Sequence, residues 1–266
     1  ILGSVASLNM KTIEIPTHAK EGMDLEHLER AIRKHKIKAC ITMTNCHDPL
    51  GYVLPDESKR ALVDLTSRTN VAVIEDDSYG DLAYEAARPL TAKSFDRKGL
   101  VLLCSSFSKT LSPGYRIGWM LAGRFRAEVE RLKLFTSVAA PSLPQLVVAE
   151  FLESGSYDRH LRRLRATLAC QAENMRQAVA EYFPAGTRIS RPAGGHMLWI
   201  ELSPKIDALK LHRAALTERI SISPGALFSA TGRYKNYIRI NCGHVWTKNH
   251  DRALMTLGRL CERQAQ

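Results

Sequence analysis

Short apolar runs alternate with amphipathic stretches along this chain, and that alternation sets the expected order of elements. Residues 1–8 read as the end of a helix, and the alternating positions of residues 11–16 predict a short strand. Asp24 stands where a cap is needed, and Leu25, Leu28 and Ile32 then share one face of a helix reaching about residue 35. Apolar runs at residues 37–43, 71–74 and 100–104 are short and continuous, the pattern of buried parallel strands. Pro55 and Asp56 open a helix between the first two, with Leu62, Val63 and Leu65 apolar. Strands that alternate with helices in this way imply an α/β arrangement around a mostly parallel sheet.

Residues 124–138 predict another helix, and Pro141 with Pro144 marks a break that divides the chain into residues 1–140 and 141–266. Residues 146–152 are short and helical. Residues 157–182 are long and periodic, with Leu161, Leu164, Leu168 and Met175 on one side. A Pro192–Ala193–Gly194–Gly195–His196 turn precedes a strand at residues 197–202. A helix at residues 208–219, a strand at 220–223, a Pro224–Gly225 turn, a strand at 237–241 and a helix from Lys248 complete a smaller α+β C-terminal part.

Composition narrows the picture. With 266 residues and 45% hydrophobic content, the chain can bury a good core and build two lobes. No apolar run approaches the length of a membrane span. The opening Ile1–Leu2–Gly3–Ser4 has no initiator methionine or charged leader and reads as a cut inside an element. The six cysteines show no C-x-x-C pairing and several lie in apolar runs, as expected of reduced thiols in a cytoplasmic protein without a metal site. The formal charge is +11, part of it on a basic face at Arg159, His160, Arg162, Arg163 and Arg165. A solvated helix face is the simplest use of that run, and attraction to phosphate-rich partners is the functional one.

Ligands of parallel sheets collect at the carboxyl ends of strands, and three polar clusters fall there: Asn45 to Gly51, Asp76 to Tyr79, and Ser105 to Arg116. The third reads Ser105–Ser106–Phe107–Ser108–Lys109–Thr110–Leu111–Ser112–Pro113–Gly114–Tyr115–Arg116. A lysine there is costly to desolvate unless it is paired or covalently used, and a free amine forms a Schiff base with an aldehyde. Ser106, Ser108 and Arg116 offer hydroxyls and a planar fork suited to a phosphate. Asp76, directly after a buried strand, can hold a pyridine nitrogen protonated, and Tyr79 is three residues on. Glu75 and Asp77 read better as structural caps. Arg239 sits in an apolar strand, where an arginine is either paired structurally or aimed at an anion, the latter being preferred here. His196 is expected to be structural.

The segment S-x-S-K-x-x-x-P-G-x-R-x-G resembles the cofactor-lysine segment of fold-type I pyridoxal-phosphate (PLP) enzymes, the aspartate aminotransferase superfamily. The resemblance implies a PLP-dependent transferase (aspartate aminotransferase-like) fold, with a mostly parallel large domain and a smaller α+β C-terminal domain. It makes Lys109 the lysine that carries PLP, Arg116 a phosphate clamp, Asp76 the partner of the ring nitrogen, Tyr79 a partner of the phenolic oxygen, and Arg239 the arginine for a substrate α-carboxylate. The sequence departs from the pattern at one place. The family's N-P-x-G loop is here Asp48–Pro49–Leu50–Gly51, and an ionised aspartate only accepts. Like charges ~4 Å apart repel by about 4 kcal/mol at an effective dielectric near 20. So one of the two facing oxygens carries a proton, or Asp48 turns away and Asn45 takes its place.

The run from Met43–Thr44–Asn45 through Pro49–Leu50–Gly51, with Ile74–Glu75–Asp76–Asp77, Cys104 to Lys109 and the basic stretch from Arg159 to Arg165, resembles the C-terminal domain of MocR-type regulators of the GntR family. In those, a winged helix-turn-helix precedes an aminotransferase-like domain that senses PLP and an amine or amino acid. The resemblance therefore implies a homodimer, and DNA as a partner through a helix-turn-helix domain not present in this chain. It starts part-way into the large domain, so the family's Gly-rich phosphate loop and ring-stacking aromatic are expected upstream. The alternatives are part of a free-standing aminotransferase, where Lys109 would also shuttle a proton, or a degenerate fold serving dimerisation.

Overall fold

The computed structural model describes residues 2–18, 21–85 and 87–265. In chain order the elements are α1 (Leu2–Ser7), β1 (Thr17–His18), β2 (Gly22–Met23), α2 (Leu25–Lys34), β3 (Ala39–Thr42), α3 (Asp56–Thr69), β4 (Ala72–Asp76), β5 (Val101–Ser106) and β6 (Gly118–Leu121). They continue with α4 (Arg126–Ser137), α5 (Ser142–Glu153), α6 (Ser156–Tyr182), β7 (Arg188–Ile189), β8 (Met197–Glu201), α7 (Ala208–Thr217), β9 (Ser223–Pro224), β10 (Tyr237–Asn241) and α8 (Lys248–Ala265).

Local chemistry accounts for the ends of these elements. Asp24 caps α2 by accepting from the His27 amide at 2.8 Å, and Glu26 at its start and Arg33 and Lys34 at its end complement the helix dipole. Asp207 caps α7 in the same way, accepting from Leu209 and Lys210. Helix α3 stops at Asn70, which adopts the left-handed conformation and returns its amide to Thr66.

β3, β4 and β5 pair in parallel, and β6 closes the sheet antiparallel to β5. The expected mostly parallel sheet is present, with an antiparallel edge that the sequence did not suggest. β6 is a short, continuous apolar run like the other strands of this sheet, but all four of its residues are exposed. The second sheet runs β7–β8–β10–β9, antiparallel throughout.

Two expected strands need correction. Residues 11–16 form no strand. Glu14 instead anchors them to the 229–231 loop, accepting from the Ser229 hydroxyl at 2.8 Å and from the Ala230 and Thr231 amides. The strand expected at 220–223 is displaced to β9, because the Ile220 amide still closes the end of α7 on Ala215.

One core packs α2, α3 and the parallel strands through Leu28, Leu62, Val63, Leu65, Val73 and Val101. A second packs α6, α7 and α8 on β8 and β10, through Met175, Val179, Leu198, Ile200, Leu211, Ile238 and Leu257. Between them, Cys46, Tyr79, Leu82 and Ala83 pack on Leu168 of α6. A short clasp ties residues 82–84 to 193–195: Tyr84 donates to Ala193, Gly195 to Leu82, and Ala83 bridges Gly194. Gly194 is required there, since a Cβ would lie 2.4 Å from Cys46 Sγ and 2.7 Å from the Ala83 Cα.

Candidate functional site

A cavity of about 1040 Å3 opens at the carboxyl ends of β3 and β4. Its lining includes Asp76 and Ser78 at the end of β4, Tyr79, Lys109 beyond β5, and His47 and Asp48 from the loop after β3. Residues from α1, the segment after it, and Leu227 and Phe228 after β9 complete the wall. Four of the residues singled out by sequence therefore share one cavity: Lys109, Asp76, Tyr79 and Asp48.

Lys109 Nζ lies over the Tyr79 ring, 5.3 Å from its centre. Burial pushes the Tyr79 hydroxyl up from its ordinary pKa, with the Asp48 and Asp76 carboxylates adding to the effect and Arg239 opposing it. The hydroxyl is thus a proton donor throughout the physiological range. Asp76 accepts from the amide of Ser78 at 3.0 Å and from its hydroxyl, a local turn that fixes the carboxylate at the strand end.

Below this surface lies a buried polar layer. Glu75 accepts from the Thr44 hydroxyl and from the amides of Ala92 and Lys93 at 2.7 and 2.9 Å. Asp77 receives Arg88 and, at 2.9 Å, the Asn45 side-chain amide. Burial raises the Asp77 carboxyl against the pull of Arg88. Both acids are structural, as read from the sequence.

Asn45, Ser106, Ser108, Arg116 and Arg239 lie off the cavity wall, whereas Asp48 lines it. Asn45 is fully buried and donates to Asp77 and, at 3.2 Å, to the Leu90 carbonyl, so it does not substitute for Asp48. Asp48 does turn aside: its Oδ2 accepts from Arg239 Nη1 at 2.6 Å. Ser106 ends β5 and Ser108 lies two residues beyond it, and their hydroxyls make no hydrogen bond among the described residues. Arg116 is exposed, and Nη1 donates to the Pro113 carbonyl at 3.3 Å.

Sequence reasoning passed over Ser78, His47 and Phe228. Ser78 was legible from its place between Asp76 and Tyr79. His47 stacks on Tyr52 with ring centres 4.7 Å apart, and burial pushes its imidazole down to about 4 despite Asp48. His196 packs 5.3 Å from Tyr79, and burial, then Lys109, pushes it down to about 4.

Residues 4–257 match the family described as Aminotransferase class I and II. The chain belongs to that family. Within it, the chain is 41% identical over 261 residues to the HTH-type transcriptional regulator YdcR of Escherichia coli, a match covering 98% of this chain and 56% of the relative. It is 39% identical over 251 residues to YjiR of the same organism, covering 94% of this chain and 53% of that one. The chain thus spans about half the length of these regulators. Among solved structures, a Pyrococcus horikoshii kynurenine aminotransferase superimposes with a TM-score of 0.91 at 27% identity, over 100% of this chain and 68% of that one. The aminotransferase fold of the family is therefore present, with the antiparallel second sheet as its smaller α+β part.

Proposed function

We propose that this chain is the effector-sensing, aminotransferase-like part of a GntR/MocR-type transcriptional regulator, which binds PLP and an amino compound to control DNA binding by a separate helix-turn-helix. The observation that carries the reading is the convergence of Lys109, Asp76 and Tyr79 on one cavity. The likeness to YdcR and YjiR supports the regulatory setting. The residues fit the cofactor's groups. The Lys109 amine would hold the aldehyde carbon, Asp76 the ring nitrogen and Tyr79 the phenolic oxygen. The unengaged hydroxyls of Ser106 and Ser108, with the guanidinium of Arg116, offer donors of the kind a phosphate takes. Bound there, PLP supplies an aldehyde for an amine and a ring that withdraws electrons. A charge-assisted hydrogen bond of the kind Asp76 offers contributes about 1.5–3 kcal/mol, enough to keep a ring-nitrogen proton in place. The protein is read as a cytoplasmic homodimer, with residues 1–140 as the PLP-binding domain and 141–266 as the smaller one.

Borohydride reduction of protein incubated with PLP tests the lysine. Wild type should retain the cofactor covalently and Lys109→Ala should lose it, and an adduct that survives in Lys109→Ala refutes the assignment. A second reading, a free-standing aminotransferase, is favoured by the likeness to the kynurenine enzyme. Keto-acid release separates the two: a saturable spectral response without multiple turnover supports sensing, and sustained turnover supports the enzyme.

A further inference from the structure

Arg239 lies on β10 between Trp199 of β8 and Ser223 of β9, and a guanidinium has the fork geometry that suits a carboxylate. This one is already engaged. Nη1 donates to Asp48 Oδ2 at 2.6 Å, Nη2 donates to Ser223 Oγ at 3.3 Å, and the guanidinium carbon stands 4.8 Å from the centre of the Phe228 ring. Asp48 and Phe228 line the large cavity and Arg239 does not. The cavity therefore meets the partners of the guanidinium rather than the guanidinium itself. Asp48 has no competing donor: its Oδ1 is buried without a hydrogen-bond partner among the described residues. The two side chains are only 18% and 23% exposed, so separating them leaves two poorly hydrated charges without compensation.

A ligand carboxylate reaching for Arg239 would have to displace Asp48 and then lie beside its charge, where like charges repel. We propose that Asp48 serves as the built-in carboxylate of this site, and that the amino compound taken by the cavity is a primary amine with no carboxylate next to its amino group. This deepens, and rests on, the reading that the cavity holds PLP and an amino compound. Met43, Ile74, Leu227 and Phe228 offer apolar wall for the amine's substituent. Lys36 and Lys38 also line the cavity, and an anion further along the ligand is compatible with them.

Phenethylamine and L-phenylalanine differ only in the carboxylate and make the matched probes. Titrated into PLP-loaded protein, with the visible absorbance and the heat of binding as readouts, phenethylamine should bind wild type at least tenfold more tightly, and Asp48→Asn should reverse the order. In cofactor-free protein, Asp48→Asn should bind 3-phenylpropanoate at least tenfold more tightly than wild type by calorimetry, and adding Arg239→Gln should abolish that gain. Asp48→Ser is the second variant should Asp48→Asn not fold. A wild type that prefers phenylalanine, or an unchanged carboxylate affinity in the Asp48 variants, overturns the proposal. Failure of the PLP reading looks different, as wild type that fixes no cofactor with borohydride, and the cofactor-free titration still decides the role of Asp48.

Discussion

Arg116 occupies the left-handed backbone region at φ 53° and ψ 33°, a conformation that costs a non-glycine residue roughly 1–2 kcal/mol. Its side chain recovers little, with a single donation to Pro113 at the long end of hydrogen-bonding range. A strained position that holds an exposed guanidinium suits a residue kept for what it binds rather than for what it stabilises. Arg116→Gly separates the two roles. Relief of the left-handed strain and the larger entropy of the unfolded glycine chain oppose each other, so stability should stay within about 1 kcal/mol of wild type by urea denaturation. PLP affinity should fall at least tenfold by absorbance titration. Unchanged affinity would show that the phosphate is held elsewhere.

At the scale of elements, the site depends on how closely two loops approach. The loop carrying Cys46, His47 and Asp48 is pinned between the turn before β8 and the segment after β4, and Gly194 makes that approach possible. Gly194→Ala forces its new methyl group against the Ala83 backbone and the Cys46 sulfur. It should destabilise the protein by about 1–3 kcal/mol in denaturant titration, the usual cost of overpacking. A neutral effect would mean that the clasp yields easily. The same contrast explains what was legible in the sequence. Periodicity located α2, α3, α6 and β10 because each buries one face, and the strand-end rule brought Lys109, Asp76 and Tyr79 together. The strap at residues 11–16, the exposed strand β6 and the pairing of Asp48 with Arg239 were not legible. The strap and the ion pair each depend on a partner far away in sequence, Glu14 on the 229–231 loop and Asp48 on a strand 191 residues later. Local pattern carries no record of such partners.

Across the whole molecule, two half-buried histidines contribute to how stability responds to acid. Burial is the main force on both. It pushes His47 down to about 4 against the attraction of Asp48, and His196 down to about 4 with the Lys109 charge adding to it. An unfolded histidine takes up its proton near pH 6.5. Between about pH 6.5 and pH 4 the unfolded chain therefore binds more protons than the folded one, and stability falls as pH falls through that window. Above neutrality neither state binds the proton and the contribution is flat. Each histidine can contribute at most ~1.4 kcal/mol per pH unit. His47→Gln should accordingly flatten the decline between pH 6.5 and pH 5 by up to about 2 kcal/mol, measured as the difference between urea-unfolding free energies at the two pH values. The variant keeps a polar side chain of similar length but cannot charge, so a decline as steep as wild type would mean that His47 titrates freely in the fold and that the acid sensitivity arises from other groups, His196 among them.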